Sequence, residues 1–282
     1  FRFFVETVFK LAPLDELTLG ISPPDRGTAL HRVLALFTRR CRQEGMTGGR
    51  ADSYAMEATL MACVDKVLAT HGKAKDPAYR HGWIMERRRW IGDPGGVPGL
   101  LKAWLKLEQE RLEDGWQWLS EESSFDGLTF PDWPFSVTGR VDRIDCHKEK
   151  GVMLWDYKSG DHPRARDVVE DFSDPQLPAY MEAARKKRIA GIARALETNA
   201  FMSAGYITLK TASSVAHKVF GPKGGDWKLV LIRWRKAVAR LGKMLVSGDL
   251  QARPFPVSDG VDSQKACRFC PYGPLCGRKE SE

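Results

Sequence analysis

Asp142, Asp156 and Lys158 are the residues whose types and spacing most directly imply chemistry. They lie in the stretch G-R-V-D-R-I-D-C-H-K-E-K-G-V-M-L-W-D-Y-K, residues 139–158. Val152, Leu154, Asp156 and Lys158 alternate with Met153, Trp155 and Tyr157, the period of two that marks a β-strand. A polar turn, H-K-E-K-G, precedes them, with Gly151 able to take a positive φ. A hairpin folded about Glu149 sets Asp142 opposite Asp156, with Cβ atoms about 4.5–5.5 Å apart. Carboxylates that close repel unless a cation lies between them. Lys158, two residues beyond Asp156, points to the same face. Asp and Lys are ordinarily solvated, but this second strand is apolar enough to be central, and Asp is depleted in strands. The spacing therefore favours a divalent-metal site over a solvated strand face.

The surrounding pattern predicts what must hold that hairpin. Residues 1–12 read as an amphipathic helix start, with Phe1, Phe4, Val5 and Val8 on one stripe. Pro23 and Pro24 break the chain, and Asp25 is placed to cap a helix over 26–42 that buries Leu30, Val33, Leu34 and Phe37. His31 lies in its second turn; a single His there is more often structural than a ligand. Helices are expected over 51–71, 77–91 and 98–113, separated by a Gly-rich gap and by D-P-G-G-V-P. The helix over 77–91 carries R-R-R between Met85 and Trp90, which with Trp83 is read evenly as a solvated face or a phosphate-contacting one. From Gly115 the period becomes strand-like, over W-Q-W-L-S-E-E-S-S-F and then the hairpin. A helix begins at D-P-Q-L-P-A-Y, putting Gln176 and Tyr180 on one face. A strand ends near Lys210, a basic loop spans 218–228, and a long amphipathic helix covers 227–247. This order describes an α/β chain, a mixed sheet with helices packed on it.

The 282 residues carry a net charge of +8, with 43% apolar and 28% charged residues, a globular composition that mildly favours polyanionic partners. No run of eighteen apolar residues suggests a membrane span, and no signal peptide is seen. Six cysteines without a secretory signal point to a reducing, cytoplasmic setting. Three of them, Cys267, Cys270 and Cys276 in C-R-F-C-P-Y-G-P-L-C, have metal-ligand spacing, one short of the four that a closed site takes. Cys41, Cys63 and Cys146 read as buried apolar residues. No G-x-x-x-x-G-K-[S/T] motif is present, so ATP-driven unwinding would need another region or another polypeptide.

Taken together, G-T-A-L-H with His31, G-R-V-D with Asp142, L-W-D-Y-K-S-G with Asp156 and Lys158, Q-L-P-A-Y with Gln176 and Tyr180, and the terminal cysteines resemble the RecB-like, AddB-type branch of the PD-(D/E)XK nuclease superfamily. The resemblance covers nearly the whole chain. It implies a restriction-endonuclease-like mixed sheet flanked by helices, in a single domain over 1–282. Within it, 51–113 would be a helical insertion, 114–210 the catalytic core and 262–282 a cysteine tail. It implies that His31, Asp142, Asp156 and the backbone carbonyl of Tyr157 hold Mg²⁺ or Mn²⁺. Lys158 would activate water or stabilise charge, and Gln176 and Tyr180 would lie near the site and DNA. Glu122 matches an acidic helper position, with Glu121 in competition. The resemblance further implies a [4Fe–4S] cluster on Cys267, Cys270 and Cys276, with the fourth ligand upstream of Phe1 in a larger protein. The activity implied is a metal-dependent DNA exonuclease of repair, working with a helicase, on the same chain or a separate one, and not with a membrane. A CRISPR-adaptation-type nuclease and a catalytically silent DNA-binding module are the alternatives.

Overall fold

The computed structural model describes residues 4–12, 21–46, 52–70, 77–93, 96, 98–163, 165–170, 172, 174–189, 192, 201–220, 227–249 and 272. Four helices come first: α1 (Pro23–Gln43), α2 (Ser53–Thr70), α3 (Pro77–Ile91) and α4 (Leu100–Glu113). Three antiparallel strands follow, β1 (Gln117–Leu128), β2 (Val137–His147) and β3 (Gly151–Lys158). The chain crosses over through α5 (Ala165–Val169) and α6 (Gln176–Arg185) to β4 (Met202–Thr208), which pairs parallel with β3. It then turns into an antiparallel edge strand, β5 (Ala216–Phe220), and ends in α7 (Trp227–Val246). The sheet order is β1-β2-β3-β4-β5. This is the mixed α/β sheet expected of a restriction-endonuclease-like fold.

The strand alternation sorts the core into two layers. Met153, Trp155 and Tyr157 face α1–α4 with Leu30, Leu34, Phe37, Trp90 and Trp104. Leu154, Ile144 and Val152 face α6 and α7 with Leu177, Met181, Leu231 and Trp234. A sheet covered on both faces explains why β3 is buried over Gly151–Tyr157, with only Lys158 part-exposed. Each such large apolar side chain contributes about 1.5–3 kcal/mol of burial. Gly151 does what the turn requires: its φ is +89°, and a Cβ there would lie 2.1 Å from the Phe201 carbonyl oxygen.

Several local expectations are corrected. Pro23 and Pro24 do not precede α1 but form its first turn, where their missing N–H groups are harmless. The cap is Ser22, not Asp25: the Ser22 hydroxyl accepts from the Asp25 N–H at 3.3 Å and donates to the Asp25 carboxylate at 2.6 Å. At the N-terminus the described helical turn covers only Phe4–Val8, with Val5 buried and Val8 exposed; Phe1 lies outside the described residues. Trp83 and Trp90 are core residues in edge-to-face contact, so they offer no stacking surface to nucleic acid. Each arginine of the run has an acidic partner: Arg87 pairs with Asp65 at 2.7 Å, Arg88 with Asp93 at 3.4 Å and Arg89 with Glu86 at 3.7 Å. The basic loop expected from residue 218 begins as strand β5, whose alternation is too short to register as a strand. Cys41 and Cys63 are buried as expected, whereas Cys146 is half-buried. Cys267, Cys270 and Cys276 lie outside the described residues. Between them, Tyr272 is buried and its hydroxyl donates to the Leu11 carbonyl at 3.2 Å.

Candidate metal and catalytic site

The hairpin register sets the site. Arg143 pairs with Trp155 and Ile144 with Leu154, which carries Asp142 opposite Asp156 as the turn predicts. On its other side Arg143 pairs with Glu121 and Val141 with Ser123, so Glu122 stands opposite Asp142. Asp156 in turn pairs with Tyr206 on β4. Glu122, Asp142 and Asp156 thus form a row across three strands, all part-buried or buried.

Two subsets emerge from that row. In the first, the ligand atoms of His31, Glu122 and Asp142 all lie within 4.8 Å of one another. His31 comes from the third turn past the Ser22 cap. Its Nε2 is 3.2 Å from the Tyr157 carbonyl oxygen and its Nδ1 3.4 Å from Asp142 Oδ2. Asp142 Oδ2 also accepts the Tyr157 N–H at 2.8 Å, which locks the hairpin end. Arg140 reaches Glu122 at 2.7 Å from the rim. In the second subset, Asp156 Oδ1 accepts from Gln176 Nε2 at 2.8 Å and from the Tyr180 hydroxyl at 3.0 Å. Lys158 Nζ lies 2.9 Å from Asp156 Oδ2 and 3.1 Å from Asp174 Oδ2, and donates to Gln176 Oε1. The structure therefore gathers His31, Asp142, Glu122 and the Tyr157 carbonyl at one point. Asp156 stands beside them but turns toward Lys158, Gln176 and Tyr180.

The electrostatics are those of acids lacking enough positive charge. Burial, then the neighbouring Asp142 charge, push the Asp156 carboxyl up to about 6, against the pull of Lys158. Burial and Asp142 likewise raise Glu122. For His31 burial opposes the charged form, but Asp142, Asp156 and Glu122 outweigh it and the pKa rises. For Lys158 burial is again overcome, by Asp156 and Asp174, so the ammonium is held protonated. Asp156 Oδ2 is buried, with the Lys158 ammonium 2.9 Å away as its ion-pair partner. Acids packed against one another, the raised carboxyls of Asp156 and Glu122, and a donor set of hard oxygens plus one imidazole fit Mg²⁺ or Mn²⁺.

A model of the PD-(D/E)XK nuclease superfamily matches residues 1–277. The chain belongs to that superfamily. Among curated proteins it is similar to an ATP-dependent helicase/deoxyribonuclease subunit of Clostridium acetobutylicum, 26% identical over 200 residues. The protein of the same name from Clostridioides difficile is 22% identical over 197 residues. Each match covers 65% of this chain and 16% of the relative, so the chain spans about a sixth of their length.

Glu121 and Glu122 point to opposite sides of the strand. Glu122 faces His31 and Asp142, while Glu121 is held by Arg39 and Arg42 on the other side of the strand. Asp174 was not singled out from the sequence. It lies in an aperiodic bend, and its one signal is position: it stands two residues before Gln176, whose N–H it accepts at 3.3 Å.

Proposed function

We propose that this chain is a divalent-metal-dependent DNA nuclease that hydrolyses phosphodiester bonds, as the nuclease part of a helicase–nuclease repair system. The observation that carries the reading is the His31–Glu122–Asp142 cluster set beside Asp156 and Lys158 at one end of the sheet. His31, Asp142 and the Tyr157 carbonyl, with Glu122, would hold Mg²⁺ or Mn²⁺, and Asp156 would add a further hard oxygen beside them. The bound cation neutralises phosphate charge and acidifies water.

The chain's own groups do the rest. Lys158, kept protonated by Asp156 and Asp174, supplies a fixed positive charge where the transition state gathers negative charge. This favours charge stabilisation over proton abstraction for the lysine. Gln176 and Tyr180 hold Asp156 Oδ1 from α6, which fixes the orientation of the carboxylate. The similarity to helicase/deoxyribonuclease proteins supports DNA as substrate and a helicase as partner. Exonucleolytic attack on DNA ends fits that setting. The cysteines Cys267, Cys270 and Cys276 would ligate a [4Fe–4S] cluster, and the contact of Tyr272 with Leu11 supports a tail that docks on the N-terminal segment.

End-labelled linear DNA and closed circular DNA, each incubated with Mg²⁺, Mn²⁺ or EDTA, test the activity. Release of short products from linear DNA only, and only with metal, is the expected result. Metal-independent cleavage, or equal cleavage by Lys158→Ala, sinks the reading. The larger protein, purified anaerobically, is expected to be brown; a colourless, zinc-containing preparation refutes the cluster.

A further inference from the structure

We infer that Glu121, clamped by Arg39 and Arg42, is a positioning residue for the metal ligand beside it. The clamp fixes the backbone turn that aims Glu122 at His31 and Asp142. The inference rests on the metal-site reading of Glu122 given above.

Glu122 is a strand residue with φ of +51°, a left-handed conformation that is unfavourable for any residue with a Cβ. Such a residue persists only where its surroundings over-determine it. The determinant is next door. Arg39 Nε donates to Glu121 Oε1 at 2.7 Å, and Arg42 Nη2 lies 3.0 Å from Oε2. Arg42 Nη1 also donates to the Leu119 carbonyl, beside a register shift between Trp118 and Ser120. The Glu121 side chain is only 4% exposed, so its ion pairs are shielded from water on one side. Two guanidiniums on one carboxylate, plus a backbone carbonyl, pin both the side chain and the main chain of β1 just before the turn.

The geometry gives the clamp its meaning. Arg39 and Arg42 are one turn apart on α1, the helix that also carries His31. His31 is eight residues earlier, about 12 Å along the axis. One rigid helix therefore supplies an imidazole to the cage and grips the strand that supplies a carboxylate to it. Without the clamp, β1 is free to relax to an ordinary extended conformation, in which Glu122 loses its aim. A plain helix–strand staple would need neither the adjacent left-handed residue nor its convergence with His31.

Calorimetry with Mn²⁺ alone tests this without reference to turnover. Glu122→Ala is expected to weaken Mn²⁺ binding at least about tenfold. Glu121→Gln, which keeps the side-chain shape and loses the charge, should weaken it about tenfold as well, in the range seen for groups that orient ligands. Arg39→Gln removes half the clamp at a half-exposed helix position and should give a smaller loss, a second route if Glu121→Gln does not fold. Glu121→Gln combined with Glu122→Ala should bind no more weakly than Glu122→Ala alone, because the clamp acts through Glu122. Binding by both Glu121→Gln and Arg39→Gln within twofold of the parent, or additive losses in the double variant, overturns the inference. A loss in Asp142→Ala without one in Glu122→Ala also overturns it while leaving the nuclease reading standing. No loss in either defeats that reading itself.

Discussion

Two charged clusters occupy the two faces of the same strands, and they are built on opposite plans. On the α6 face stand Glu122, Asp142 and Asp156 with Lys158. On the α1–α4 face, one residue along each strand, Arg143 and Asp145 meet Glu108, Arg111 and His217. Arg143 is wholly buried and lies 3.0 Å from Glu108 and 2.9 Å from Asp145. Arg111 reaches Asp145 at 2.9 Å, His217 reaches Glu108 at 2.6 Å, and Trp118 and Trp155 donate to the same two acids. Burial opposes ionisation of Glu108, yet Arg143, His217 and Arg111 overcome it and hold the carboxyl far below its usual range. Asp156, equally buried, is instead pushed up to about 6. The lesson is that burial alone does not mark a functional acid. Glu108 is buried with its charge matched from inside the chain, which makes it structural. Asp156 and its neighbours are buried facing one another with less positive charge than they need, the arrangement that the proposed cation would complete.

That contrast can be broken most sharply by substituting one residue on each face. Asp142→Asn is expected to lower metal-dependent cleavage at least about a thousandfold. Its thermal midpoint without metal should hold or rise, since a repelling charge is gone; calorimetric melting checks this. Arg143→Met should do the reverse. It leaves Glu108 and Asp145 buried with too little positive charge, at a cost of about 3–5 kcal/mol in denaturant unfolding. If Asp142→Asn destabilises as much as Arg143→Met, the two faces are not different in kind.

Proton linkage gives the next largest effect. Asp156, Glu122 and His31 all have raised folded-state pKa values, so the folded protein binds their protons more tightly than the unfolded chain. Their contribution is present at low pH and is lost as pH rises; for Asp156 the window runs from 3.8 to about 6. Metal-free stability from these groups should therefore fall by up to a few kcal/mol over that window, and saturating Mn²⁺ should flatten the fall. Mn²⁺ binding at pH 5.5 should release protons, seen as heats that differ between buffers of different ionisation enthalpy. Smallest is Asp174→Asn, which loosens Lys158. It should lower kcat about tenfold with little change in Mn²⁺ affinity, and have no further effect in a Lys158→Ala background.

The hairpin was legible because a five-residue polar turn and strict alternation leave one register, and register fixes which acids meet. The helices α2–α4 were legible because Gly and Pro punctuate them. What escaped was what depends on contacts distant in sequence or on irregular backbone. Glu121 and Glu122 look equivalent until a left-handed φ separates them. Asp174 sits outside any periodic segment. Glu108 meets Arg143 and His217 only once α4 packs on the sheet, a contact that no local pattern announces. Trp83 and Trp90 misled for a related reason: an Arg run beside Trp suggests nucleic acid, but the helix turns its indoles inward.

The shared strands also constrain how the gene can change. Because side chains alternate, a single codon deleted between Asp142 and His147, or between Gly151 and Lys158, would exchange the two faces from that point to the strand end. An arginine would then project among the metal-site acids and an aspartate into the tryptophan-lined interior. In a library of single-residue deletions this hairpin should be silent, while the polar turn and the exposed end of α7 keep yielding viable clones. Substitution is open to these strands as an evolutionary route, but change of length is closed.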